Sequence, residues 1–185
     1  MKTVLPFDEL NAFKISLQSH FVNGRIKSTD DVEDIIDEML DLYLLAMTNG
    51  TDSVNEQFGT DIQLTALQIE QIIYQKIDGA TWEDRIRTWY EVGGTEADIV
   101  RIAETELHRV GNAAAYETAI KAGATKKTWM CMMLPTSRDT HVYLDGTTVG
   151  IEDEFYTFLG NHAMYPGQFG VAEEDINCLC QLSFS

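Results

Sequence analysis

No run of about 18 consecutive apolar residues occurs in this 185-residue chain, so the sequence encodes no membrane-spanning helix. Its opening, MKTVLPFDELNAF, has no extended apolar core and meets acidic side chains at once, so it does not read as a secretory signal. Cysteine is scarce and odd in number: Cys131, Cys178 and Cys180. That count argues against a disulfide framework and for reduced thiols in a cytosol-like setting. Basic side chains are few, 13 against 30 acidic ones, for a formal net charge of −17. Such a surface repels nucleic-acid phosphates, because DNA binding draws on Lys and Arg releasing counterions. Direct nucleic-acid binding is therefore disfavoured, with Lys126-Lys127 as one local basic spot. Internal repeats, low-complexity segments, a P-loop, a dinucleotide glycine motif, a zincin helix and a nucleophile elbow are all missing. Ser137 and Cys131 have no local base beside them, so nucleophilic catalysis is unsupported.

Hydrophobic residues make up 44%, enough for one packed domain with a helical extension, or for two small domains. The acidity is uneven: Asp30 to Asp41 holds seven acids and no base. Leu10, Phe13, Leu17 and Phe21 recur at spacings of three and four, one helical stripe over 8–22. Ser28 and Thr29, followed by Asp30 and Asp31, open a second helix whose buried face runs from Val32 to Met47. Asn49-Gly50 reads as its stop. Residues 62–77 repeat the helical period, and Asp78-Gly79 ends them. Thr81-Trp-Glu-Asp84 is a capping box for a short helix through Tyr90. Beyond Gly93-Gly94, Thr95 caps the longest helix, Glu96 to Ala122, with Gly111 as a close-packing point.

After Gly123 the texture changes. Lys127 to Met133 suits a strand, 135–170 is loops and short elements, and Ile176 to Phe184 alternates well enough for a terminal strand. The expected class is α+β: a helical N-terminal part, 1–79, then a long helix packed on a small sheet with a loop-rich C-terminal region, 80–185.

Three constellations can carry chemistry. On the long helix, Arg101, Glu104, Glu106, His108, Arg109 and Asn112 crowd an otherwise core-forming segment. For Glu104 and His108 the preferred reading is a solvated face; for Asn112 it is a buried hydrogen bond. In RDTHVYLDG (138–146), His141 and Asp145 lie four apart, so one helical turn would put them on one face. That spacing fits a general acid/base histidine held by a carboxylate, and equally a structural brace, which is preferred. Third, Cys178 and Cys180 would share a face on a strand. With His141, or also His162, they can supply a tetrahedral sulfur/nitrogen metal site, zinc being the option. C-x-C alone is weak, and buried thiols acting as small hydrophobes are the preferred reading.

Taken in order, RIAETELHRVGNAAAYETAIKAG, KKTWMCM, RDTHVYLDGTTVGIEDEF, YPGQFG and INCLC resemble the Mu F-like head-morphogenesis (minor head) proteins of tailed phages. The resemblance covers roughly residues 80–185. It places the family's recurrent positions on Arg101, Glu104, Glu106, Arg109, Asn112, Trp129, Arg138, His141, Leu144, Asp145, Gly146, Pro166, Gly167, Asn177, Cys178 and Cys180. Two departures stand out: Met132 to Thr136 is apolar where the family has an acidic, polar turn, and Leu179 replaces the arginine of N-C-R-C. The resemblance implies a minor structural protein of the capsid interior or portal region, needed for head assembly or genome delivery. It would form in the host cytoplasm and stay in the virion, with portal, scaffold or major capsid protein as partner.

The favoured expectation is thus a non-enzymatic assembly protein without a cofactor. In it Arg101, Glu106, Arg109, Asn112, Arg138, His141, Asp145 and Asn177 form a structural polar core. The first alternative is a toxin-like or nucleotide-modifying enzyme with His141 and Asp145 as acid/base groups and Arg109 or Arg138 on phosphate. The second is a zinc module built on His141, Cys178 and Cys180.

Overall fold

The computed structural model describes residues 6–185. Residues 1–5, part of the stretch read as lacking a signal core, lie outside them. Helix α1 (Phe7–Leu17) runs through a single 3₁₀ turn into a two-stranded hairpin, β1 (Phe21–Val22) and β2 (Arg25–Ile26), which turns at Asn23-Gly24. Asn23 and Gly24 both adopt positive φ, the conformation a tight hairpin of this kind requires.

Helix α2 (Thr29–Phe58) begins where Ser28 Oγ accepts the Asp31 amide at 3.2 Å. It does not stop at Asn49-Gly50. It continues two more turns, because Gly50 is where α2 meets α5 backbone to backbone, and the αL cap falls instead on Gly59. Helix α3 (Ala66–Ile73) is shorter than the period over 62–77 suggests, since its capping box sits at Thr65 and Gln68. Helices α4 (Trp82–Val92) and α5 (Glu96–Lys121) start at capping boxes on Thr81/Asp84 and Thr95/Asp98. All three boxes satisfy first-turn amides that would otherwise be orphaned.

Strand β3 (Lys126–Met130) is central in a three-stranded antiparallel sheet, flanked by β4 (Thr148–Gly150) and β7 (Gln181–Phe184). Between β3 and β4 lies α6 (Asp139–Leu144); after them come the hairpin β5 (Phe155–Tyr156) and β6 (His162–Ala163) and the short α7 (Ala172–Asp175). The α+β class and the long helix against a small sheet are as the sequence indicates. The terminal strand is half its expected length: residues 176–180 are irregular, and Asn177 turns the chain at φ 58°.

One apolar core extends from Leu10 on α1 to Phe184 on β7. Its centre is the α2–α5 crossing, with Tyr43 edge-on to Trp82 at 5.0 Å. Trp129 is fully buried and joins Phe155, Phe169 and His141 into an aromatic cluster beneath the sheet. Each such large side chain contributes about 1.5–3 kcal/mol of burial.

Candidate functional site

The polar residues of α5 serve two separate clasps. In the first, Glu106 is fully buried and bridges two arginines: Arg85 from α4, and Arg109 through Nε at 2.6 Å. Arg109 is 1% exposed, and its guanidinium also donates to the Ile72 and Ile73 carbonyls at 2.5 and 3.1 Å. These are last-turn carbonyls of α3 with no intrahelical partner, so the guanidinium serves as that helix's C-terminal cap. Gly167 lies so close above Arg109 that a Cβ there would stand 2.9 Å from its Cγ. Four of the five N–H donors of Arg109 are engaged by protein groups, the fourth with Gln75 Oε1 at 3.4 Å, and the guanidinium is buried away from solvent.

The second clasp holds the C-terminal segment. Asn112 is buried and donates to the Cys180 carbonyl at 2.9 Å, and Thr105 Oγ1 accepts the Asn177 amide at 3.1 Å. Arg138 donates to the Ile176 carbonyl. The loop so held brings Cys178 and Cys180 onto His141, whose Nδ1 lies 3.6 and 3.5 Å from their sulfurs. The other ring nitrogen, Nε2, is 3.2 Å from Glu174 Oε2. Glu174 is itself buried, accepting from Thr140 Oγ1 at 2.8 Å and Asn161 Nδ2 at 3.0 Å. The ring stacks on Phe169, and Trp129 meets it edge-on.

Several expected partners are elsewhere. Asp145 does not hold His141: it ends α6, exposed, with its carboxylate accepting the Cys131 amide at 2.8 Å. The carboxylate beside His141 comes instead from Glu174, 33 positions on, which four-residue spacing could not reveal. Arg101 is outside the polar core, with its side chain 43% exposed and paired to Asp98. Asn177 is exposed and contributes its left-handed backbone rather than its amide, a conformation asparagine tolerates. His162 pairs with Glu154 on the surface, away from the cysteines. Glu104 reaches Lys14 of α1 at 2.6 Å, whereas His108 is sunk far enough for burial to lower its pKa to about 4. Sequence reasoning missed Glu174, Thr140 and Asn161; their convergence depends on the tertiary path of 161–174.

The cleft beside His141 has room for about 30 Å³ and is lined by Cys131, Arg138, His141, Cys178 and Cys180 among others. That is space for one ion or water, whereas small-molecule ligands occupy about 300–1,000 Å³. The donors facing it, two buried thiols and an imidazole nitrogen within 4.8 Å of one another, could hold a metal ion.

Residues 59–183 match the family described as Phage Mu protein F like protein. The chain belongs to that family. It is also 33% identical over 85 residues to the minor head protein GP7 of Bacillus phage SPP1, covering 44% of this chain and 28% of that protein. Over another match of 85 residues it is 42% identical to the NAD(+)–arginine ADP-ribosyltransferase EFV of Enterococcus faecalis (strain ATCC 700802 / V583), covering 44% of this chain and 17% of the enzyme. The chain thus spans less than a third of the length of either relative. No solved structure matches it significantly. Membership makes it a phage head-protein relative of the minor capsid, head-morphogenesis kind.

Proposed function

We propose that the chain is a minor head-morphogenesis protein of a tailed phage or prophage. It acts in capsid assembly or genome packaging and delivery near the portal. It assembles in the host cytoplasm and is retained in the virion. The observation that carries this reading is how the polar residues are spent. Glu106, Arg109, Asn112, Arg138 and Glu174 are bonded to protein side chains and backbone, and the cleft beside His141 is too small for a nucleotide. That is the pattern of a module that holds a shape and offers its outside to partners.

The outside suits protein partners. Asp30, Glu33, Asp34, Asp37 and Asp41 line the exposed side of α2, complementary to a basic face on portal, scaffold or major capsid protein. Met132, Met133 and Leu134 form an exposed apolar loop, and Tyr143 and Phe158 stack edge-on at the surface with Leu159 beside them in sequence. The enzymatic alternative loses its His141–Asp145 pair, since Asp145 accepts the Cys131 amide, and of the transferase the chain resembles 83% lies outside the shared part.

The test is mass spectrometry of density-purified heads from an induced lysogen carrying a tagged copy of the chain. The expected result is the chain present at low copy with portal protein, and located at the portal vertex in a cryo-EM reconstruction. Its absence from purified heads, or transfer of ADP-ribose from labelled NAD by the pure chain, would overturn the reading.

A further inference from the structure

We propose that His141, Cys178, Cys180 and Cys131 form a tetrahedral zinc site that staples the C-terminal segment to α6 and to the end of β3. Three independent features of the clasp lead there. The first is distance. With Zn–S near 2.3 Å and Zn–N near 2.0–2.1 Å at tetrahedral angles, a ligating sulfur and nitrogen stand roughly 3.6 Å apart. The two sulfurs lie 3.6 and 3.5 Å from His141 Nδ1, and all three donor atoms fall within 4.8 Å of one another.

The second is lone-pair accounting. Glu174 beside Nε2 favours the tautomer with its proton there, leaving Nδ1 one in-plane lone pair. Two sulfurs converge on that single lone pair, and one of them can donate to it at most. A cation at the shared vertex serves all three. Small-hydrophobe packing of the thiols gives no reason for both to point at the same nitrogen.

The third is the surrounding shell. A metal-bound histidine characteristically gives its other N–H to a carboxylate, which is in turn hydrogen-bonded. Here the carboxylate nearest that nitrogen is Glu174, 3.2 Å away but not aligned as a hydrogen bond; it is 2% exposed and fixed by Thr140 and Asn161. The thiol loop is held just as firmly from α5 by Asn112 and Thr105.

Cys131 supplies the fourth ligand. It directly follows β3 and lines the same cleft, but stands outside the 4.8 Å group formed by His141, Cys178 and Cys180, so its side chain would swing in to complete the tetrahedron. Without a cation, the nearby thiol and burial push Cys180 up, and burial pushes Cys131 up. Zinc reverses this: each thiol releases its proton to solvent on binding, so affinity rises with pH. Three thiolates and one neutral imidazole leave a net charge of −1 about the ion, and Arg138 stands at the same cleft. The mixed S/N set selects zinc over magnesium or calcium, which take oxygen ligands.

The test begins with the intact chain, purified under reducing conditions without chelator and analysed by inductively coupled plasma mass spectrometry. About one zinc per chain is expected for a closed structural site. Cobalt added to the metal-stripped chain should give thiolate-to-metal charge-transfer bands and the intense visible bands of a tetrahedral centre. Cys178→Ser, Cys180→Ser and His141→Ala should abolish these bands. Cys131→Ser should keep them, with the charge-transfer intensity lower by roughly one third for the lost thiolate. Glu174→Gln, read by competition with a chromophoric chelator, should weaken zinc binding by about 10–100-fold with the fold intact. A wild-type chain that takes up neither zinc nor cobalt overturns the site, whether or not the cysteine variants fold. An unchanged cobalt spectrum in Cys131→Ser overturns the fourth ligand.

Discussion

Gly50 of α2 lies against the Gly111 carbonyl of α5 so closely that a Cβ on Gly50 would stand 2.4 Å from that oxygen. The same Cβ would be 3.3 Å from the Ala115 amide nitrogen. At the next residue of α2, the Thr51 hydroxyl meets that of Thr118 at 3.3 Å across the crossing. Gly50→Ala therefore has to push two backbones apart. Alanine's helix propensity favours the variant by about 1 kcal/mol, but overpacking costs about 1–3 kcal/mol and spreads along the longest interface of the molecule. A lower urea midpoint with unchanged m is the expected outcome; a midpoint at or above wild type would mean the helices cross more loosely.

Arg109 presents a different kind of dependence. Substituting methionine leaves Glu106 with Arg85 alone and strips two buried carbonyls, at Ile72 and Ile73, of their donor. Breaking a buried pair from one side costs about 3–5 kcal/mol. Arg109→Lys should recover only a minor part, because a single ammonium cannot reach Glu106 and both carbonyls in the planar fork that arginine uses. Chemical denaturation of the two variants checks the order: wild type, then lysine, then methionine. Equal loss for both would show that charge alone matters there.

The sequence made local features legible and tertiary ones obscure. Capping at Ser28, Thr81 and Thr95 could be read because a cap is written within four residues, and each helix starts there. The long α5 helix and the central β3 strand followed from period and texture. Gly50 misled, because a glycine within a helix signals a stop and a close crossing with the same letter. Only the partner, Gly111, tells them apart. His141 and Asp145 kept the spacing of an acid/base pair, yet Asp145 went to the Cys131 amide and Glu174 arrived from the far side of the domain. The two C-terminal cysteines do meet His141, though on an irregular turn rather than a strand face.

Lys127 is fully buried, its ammonium over the Tyr116 ring at 4.5 Å and near Phe155 at 5.5 Å. Burial lowers its pKa to about 8 from an ordinary 10.5, with Asp153 and Glu154 opposing from a distance. Between those two values the unfolded chain holds more protons than the folded one. Stability accordingly rises as pH climbs from about 8 to about 10.5, by up to about 3 kcal/mol. Lys127→Met should abolish that alkaline rise while keeping the packing against the rings. Thermal melts across the alkaline range check it, and a methionine variant that still gains stability there would assign the rise to another group.

Asp175 and His108 make opposite contributions in acid. Asp175 accepts the Phe169 and Gly170 amides at 3.0 and 2.7 Å, yet burial outweighs them and lifts its pKa to about 6 from 3.8. A carboxyl raised in the folded state binds its proton more tightly there, so acidification from about 6 to about 4 stabilises the fold by up to about 3 kcal/mol. His108 runs the other way. Burial, with Glu104 opposing, lowers it to about 4 from 6.5, so over nearly the same window the unfolded chain takes the proton first and stability falls by up to about 3 kcal/mol. The two slopes nearly cancel, so both groups together add little pH dependence to the wild type between about pH 6 and 4. Separating them exposes each: relative to wild type, His108→Gln should gain stability on acidification and Asp175→Asn should lose it. Denaturant midpoints at pH 6 and pH 4 for the three proteins decide the matter. Parallel shifts in both variants would show that neither group titrates in the window its burial dictates.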